Sequence, residues 1–328
     1  MKRYKLIEVY LILVVIIALT LTFNSKALYQ WAERLEIGYF RTVAMNILSP
    51  INRFSEKLGF GIPYSVAREK FLKYSGTEDI APAVMEDLKY SRDASGDKTY
   101  YSRENKLKVL LLGDSMMKEA LSSVINASLA YNNSIYTYTF ASYASGLSRP
   151  DFFDWPLETE KLLSEYRFDL AICILGMNDA QDIEENGVKY FLNTKNWTNI
   201  YCERADRFLN LISKNITKVY WLGVPIMRDD RYNKRMLKLN KIFLDACKKY
   251  DNIKFFDVSQ NLSNDGQYTD YLKIDDALVK IRLGDGKHVT YEGAKIITQD
   301  LIKNIQLDFT FEFDGNADKQ KRTDIIYY

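Results

Sequence analysis

From Lys108 onward, short apolar runs alternate with longer amphipathic segments. KVLLLG leads into SMMKEALSSVINASLA, then SIYTYTFAS into PLETEKLLSEY, then FDLAICILG into ERADRFLNLISKN. KVYWLGVP, YNKRMLKLNKIFLDACKKY, IKFFDV and YEGAKIITQDLIKNI complete the series. Strand-length runs separated by segments long enough for three or more helical turns are the pattern of βαβ units. The expected fold is therefore α/β: three layers, α/β/α, around a central, mostly parallel sheet. In such sheets ligands bind beyond the carboxyl ends of the strands. One stretch breaks the alternation. GQYTDYLKIDDALVKIRLGDG reads as a β-hairpin inserted before the last helix.

The amino end has a different texture. Lys2, Arg3 and Lys5 precede an uncharged segment from Val9 to Ser25, whose heart is VYLILVVIIALTLTF. Seventeen residues at 1.5 Å rise span roughly 26 Å, near the lower limit for a bilayer core. This predicts a single transmembrane signal-anchor over 1–25, with the positive flank in the cytoplasm and the rest of the chain outside it. A cleaved signal peptide is the rival, though the run is longer than the usual h-region and no clear A-x-A site follows. Residues 26–105 read as a helical juxtamembrane region and linker, with SRDASGDK as the best linker sequence. The main domain is expected over 106–306, and a C-terminal tail over 307–328.

Composition narrows the chemistry. With 328 residues and 47% hydrophobic content the chain can bury a core, so a disordered protein is excluded. A net charge of +2 with no basic block argues against nucleic acid as a partner. The chain has one histidine, His288, which excludes a multi-histidine metal site and makes any imidazole base this residue. Three cysteines without CxxC spacing form neither a zinc ribbon nor a disulfide framework, and Cys173 reads as core.

The reactive residue types sit at the strand ends. Ser115, in Gly113-Asp114-Ser115, opens the helix after the first strand of the series, where its N–H joins the positive end of a helix dipole. That suits a nucleophile whose adduct is an oxyanion, although the tripeptide read alone favours a plain helix N-cap. Gly176-Met177-Asn178-Asp179 ends a later strand. Its Asn178 amide can donate to a developing oxyanion or close an Asx-turn. In Asp285-Gly286-Lys287-His288 a carboxylate three residues before the imidazole can meet Nδ1 and leave Nε2 facing a serine.

These three blocks, in this order, resemble the GDS, GxND and DxxH blocks of the SGNH/GDSL superfamily of serine esterases and acyltransferases. GLSRPDFFDWP, GVPIMRDDRYNKRMLKLN and IRLGDGKHVTYEGA are similar to a branch of bacterial envelope proteins in that superfamily, a domain of unknown function. The resemblance implies a flavodoxin-like sheet, with Ser115 as nucleophile, His288 as general base and then acid, and Asp285 as the orienting carboxylate. It also implies an oxyanion hole of the Ser115 N–H, the Gly146 N–H and the Asn178 side chain; Gly146 rests mostly on the resemblance. No cofactor and no metal is implied. Met116 stands where the GDSL name has leucine, at a position that packs rather than reacts.

Asp114, Asp179 and Trp155 are the candidate substrate contacts. Asp114 also reads as a brace for its turn, and Trp155, in Asp151-Phe152-Phe153-Asp154-Trp155, as core instead of a sugar platform. The expected activity is that of an ester hydrolase or O-acyltransferase, anchored in the inner membrane with its domain on the periplasmic side. Its substrate would be an acylated envelope glycan or another small ester. A non-catalytic envelope assembly or glycan-binding protein on the same fold is the alternative, and the intact serine, asparagine, aspartate and histidine set counts against it. A nucleotide-binding protein would need GxGxxG or GxxxxGK[ST], and the chain has neither.

Overall fold

A computed structural model describes residues 6–35, 38–58 and 100–311. These fall into two compact units. The first holds the N-terminal helices together with 181–189, and the second holds the rest of the described chain. In the first unit α1 (Leu6–Phe23) is followed by α2 (Ser25–Arg34) and α3 (Tyr39–Lys57). The Ser55 hydroxyl donates to the Thr22 carbonyl at 2.8 Å, tying α3 to the end of α1.

The single transmembrane helix expected over Val9–Ser25 is not shown. No single described helix is long and apolar enough to cross a membrane, and α1 and α2 qualify only as a pair bent by 68°. The break lies at Asn24, whose side chain donates to the Thr20 carbonyl, while the Thr22 hydroxyl donates to Ala18. Side-chain bonds of this kind to the preceding turn compete with a straight helix. Lys2, Arg3, Lys5 and the linker sequence SRDASGDK lie outside the described residues.

The second unit holds the expected parallel sheet. Its strands are β2 (Leu107–Gly113), β3 (Ile135–Ala141), β4 (Leu170–Ile174), β7 (Lys218–Leu222) and β8 (Ile253–Phe256). Their order is β3-β2-β4-β7-β8, and every pairing is parallel. That is the flavodoxin-like 2-1-3-4-5 order, whose switch point lies between β2 and β4. LKVLLLG and LAICI are almost wholly buried because strands covered on both faces are apolar throughout. Cys173 on β4 is fully buried, and burial pushes its thiol pKa up, as befits a core residue.

The helices between strands are α4 (Ser122–Leu129), α5 (Trp155–Glu165), α6 (Lys195–Asn215) and α7 (Asp230–Cys247), and α8 (Tyr291–Asp308) closes the series. α4 packs with α8, whereas α5, α6 and α7 pack in succession. Right-handed crossovers put these two groups on opposite faces of the sheet. Asp154, Thr194, Asp229 and Thr290 cap α5 to α8 through side-chain oxygens that accept first-turn N–H groups.

The domain outruns its expected limits of 106 and 306. β1 (Tyr100–Tyr101) pairs in parallel with β13 (Thr310–Phe311), and Tyr101 packs edge-on against Phe309 with ring centres 5.8 Å apart. Residues 307–311 thus belong to α8 and β13 rather than to a tail, and 312–328 lie outside the described residues. A small hairpin, β5 (Ile183–Glu185) with β6 (Val188–Tyr190), precedes α6. Before α8 the insertion consists of β9 (Ser263–Asn264) with β10 (Gln267–Tyr268), then β11 (Tyr271–Ile274) with β12 (Ala277–Lys280). Asp275 and Asp276, at φ 47° and 65°, form the two-residue turn of the second hairpin.

Candidate active site

β2 delivers Ser115 to the switch point. A side chain at Gly113 would stand 2.4 Å from the Ile174 carbonyl on β4, so glycine is needed for the two strand tips to meet. Asp114 then turns the chain. Its N–H donates to the Ile174 carbonyl, its Oδ1 accepts the Met116 N–H at 2.9 Å, and its carbonyl accepts the Lys118 N–H. The helix that begins at Ser115 passes through a π-type turn over Met117–Leu121, with Glu119 off helical geometry (φ −86°, ψ −115°), before continuing as α4.

The last loop brings the other two catalytic candidates to this serine. The Ser115 hydroxyl donates to His288 Nε2 at 2.8 Å, and His288 Nδ1–H donates to Asp285 Oδ2 at 2.6 Å. Asp285 Oδ1 also accepts the N–H groups of Lys287 and His288, at 2.9 and 3.1 Å. Burial alone would raise the Asp285 pKa. The imidazole and the two N–H groups outweigh it and hold the carboxyl below its ordinary value, so it is an anion when the imidazole must accept a proton. The order nucleophile, base, orienting carboxylate is that of a serine-hydrolase triad.

Asn178 and Gly146 come together through the loop after β3. The Asn178 amide donates to the Ser145 carbonyl at 3.0 Å, which holds it against the peptide that contains the Gly146 nitrogen. Neither the Ser115 N–H nor the Gly146 N–H has an acceptor among the described residues, although both residues are buried. Open N–H groups are what a developing oxyanion requires.

Asp114, Asp179 and Trp155 are not substrate contacts, because all three are fully buried. Asp179 lies beneath the Gly146 loop. Its Oδ1 accepts the Ser148 N–H at 2.7 Å, its Oδ2 accepts the Tyr201 hydroxyl at 2.8 Å, and Leu147 donates as well. Any side chain at Gly146 would stand 2.1 Å from Asp179 Oδ1, so the glycine lets the carboxylate reach these donors. Trp155 packs edge-on against Phe140 and Phe153, and its Nε1–H donates to the Ser145 hydroxyl at 3.2 Å. Its job is to support the loop from within the core. Burial raises the Asp114 carboxyl to about 7, with the negative charge of Asp179 adding to the rise and the Met116 N–H opposing it.

Several residues of the site escape sequence reasoning. Tyr201 and Arg204, both on α6, hold the Gly146 loop; Arg204 donates to the carbonyls of Leu147 and Ser148 at 3.0 Å each. Tyr232 on α7 donates its hydroxyl to the Met177 carbonyl, next to Asn178, and carries Lys287 Nζ 4.4 Å above its ring. A tyrosine packed on the apolar face of a helix, as Tyr201 is, needs a partner for its hydroxyl. That was the available signal, but it names no partner.

Among the described residues no group of three or more His, Cys, Asp or Glu is arranged to hold a metal ion. No curated protein matches the chain. Solved structures do. A GDSL-like lipase from Bacteroides thetaiotaomicron is 17% identical, with 62% of this chain and 89% of that one covered and a TM-score of 0.43. An acetylxylan esterase from Geobacillus stearothermophilus is 11% identical, covering 61% and 94% at 0.41. An α/β-hydrolase enzyme from a Lake Arreo metagenome in Spain is also 11% identical, covering 60% and 93% at 0.43. At these values the likeness is loose. A family model matches residues 108–304, from β2 into α8, and the chain accordingly belongs to DUF459, a family of proteins of unknown function.

Proposed function

We propose that this protein is an SGNH-type serine esterase that works through an acyl-serine intermediate. The observation that carries the reading is the continuous hydrogen-bond line from Ser115 through His288 to Asp285 at 2.8 and 2.6 Å. Ser115 Oγ attacks the ester carbonyl while His288 Nε2 takes its proton, and Asp285 keeps Nδ1 protonated and stabilises the imidazolium. The oxyanion that forms is met by the N–H groups of Ser115 and Gly146 and the side-chain amide of Asn178. His288 then returns the proton to the leaving alcohol. A water or a sugar hydroxyl, activated by the same imidazole, resolves the acyl-serine, so the machinery serves hydrolysis and O-acyl transfer alike.

The substrate class in this reading is an O-acyl, above all O-acetyl, group on an envelope glycan. The enzyme is held at the inner membrane by its N-terminal segment with the α/β unit on the extracytoplasmic side. The lysine- and arginine-bearing flank of the apolar run supports that orientation. α1, whose apolar side chains from Val9 to Ile17 are all exposed, supports the attachment itself, since such a surface needs a covering phase. Release of 4-nitrophenol from 4-nitrophenyl acetate by wild type and Ser115→Ala tests the esterase reading. A loss of at least about 10³-fold in the variant is expected, and equal rates would refute it.

A further inference from the structure

Arg282 is a fully buried cation that forms no ion pair among the described residues. A charge out of water is costly unless it is put to use. The guanidinium donates from Nη1 to the Lys287 carbonyl at 3.1 Å and from Nη2 to the Ile226 carbonyl at 2.6 Å, and Nε has no acceptor. The charge persists at neutral pH, since burial brings its pKa down only to about 10 against the opposing pull of Tyr268, Asp270 and Asp285.

What those two bonds hold decides the matter. The Lys287 carbonyl belongs to the peptide unit whose N–H is that of His288, and this N–H donates to Asp285. One peptide plane is thus gripped on its carbonyl side by Arg282 and on its amide side by the triad carboxylate. That plane sets the backbone angle from which the imidazole projects. The loop is a closed turn, with Arg282 bridged to Val289 and the Leu283 N–H bonded to the His288 carbonyl. The bond to Ile226 extends the grip to the loop after β7. From that loop the Arg228 N–H donates to Gly286 and its Nη1 to Gly284. Gly286 sits at φ +70°, where any side chain would stand 2.6 Å from Arg228 Cβ. Arg228 in turn pairs with Asp270 of the inserted segment at 2.6 Å, and both guanidinium groups lie over the Tyr268 ring.

We infer that Arg282 is a positioning residue for the catalytic base: it fixes the Lys287–His288 peptide, and through it the imidazole, between Ser115 and Asp285. The inference rests on the esterase reading for its kinetic consequence but not for its structural one. Because the chain has one histidine, ring-labelled histidine gives an NMR signal from His288 alone. The wild type should show a downfield Nδ1–H proton characteristic of a bond to a carboxylate.

In Arg282→Met that proton should be lost or broadened. kcat on 4-nitrophenyl acetate should fall about 10- to 100-fold with KM within about threefold, since misplacing a reacting group by about 1 Å costs that much. Arg282→Lys keeps the charge but not the fork, and should show the same losses. It also decides the question if the methionine variant does not fold. A folded variant with the wild-type imidazole signal and wild-type kcat would overturn the inference. A wild type that hydrolyses no ester would refute the esterase reading, while the imidazole signal would still test the role of Arg282.

Discussion

Gly146→Ala separates the two tasks assigned to this glycine, giving an N–H to the oxyanion and making room for a buried carboxylate. A β-carbon there would lie 2.1 Å from Asp179 Oδ1 and 2.6 Å from its carboxyl carbon. Relief to an ordinary contact requires a shift of about 1 Å, and Asp179 cannot supply it cheaply. It is fully buried and anchored by Ser148 and Tyr201 at 2.7 and 2.8 Å. The loop must therefore move, taking the Gly146 N–H with it. A 1 Å displacement of a catalytic group lowers turnover about 10²-fold, and an oxyanion donor is worth about 10²–10³. The expected result is a fall in kcat of about 100-fold or more with KM little changed.

The strain should also appear in stability. Stretching two hydrogen bonds to a carboxylate, each worth about 1.5–3 kcal/mol, costs a few kcal/mol and should lower Tm by several degrees. Steady-state kinetics with thermal melts of Gly146→Ala, Asp179→Ala and the double variant test the account. The clash exists only while the carboxylate is present, so the double variant should be less damaged than the sum of the singles. Strict additivity, or a Gly146→Ala enzyme within about threefold of wild type, would refute the reasoning.

Three further outcomes follow from the same contacts. Asn178→Ala should lower kcat by about 10²–10³-fold in the same assay, because it removes the side-chain donor and frees the Ser145 peptide. His288→Gln should abolish turnover without the residual activity a second imidazole could give, as steady-state assays across pH 6–9 would show. Asp114 has its pKa raised by burial from 3.8 to about 7, so the folded state binds the proton more tightly than the unfolded chain. The associated stability is complete below about pH 4 and is lost as pH rises through 7. Asp114→Asn does not ionise, so the Tm of the variant relative to wild type should rise between pH 4 and 8, by at most about 4 kcal/mol in equivalent stability. A pH-independent difference would contradict this.

The sheet could be read from the chain because fully buried parallel strands have to be apolar throughout, and LKVLLLG and LAICI are. The triad residues were visible because Ser115, Asp285 and His288 occupy strand-end loops in a chain with one imidazole. What sequence hid is contact at a distance. Asp179 has a side chain that suits a sugar, and only burial reveals that it props the Gly146 loop, whereas Trp155 fills the core as its aromatic cluster beside the sheet suggests. Tyr201, Arg204 and Arg282 act through carbonyls and carboxylates 5 to 57 residues away along the chain, and no local pattern records those pairings. The N-terminal run was correctly read as helical, but α1 stops at Phe23 because the polar residues from Thr20 to Asn24 bond back to its last turn.

The central claim, that Ser115 is a nucleophile activated by His288, is tested most directly by intact-mass spectrometry after brief exposure to a fluorophosphonate. The account predicts one adduct, mapped to Ser115, forming on wild type. It predicts none on Ser115→Ala, and labelling of His288→Gln slowed by orders of magnitude. A folded wild type that takes no label, or a His288→Gln variant labelled as fast as wild type, would contradict it.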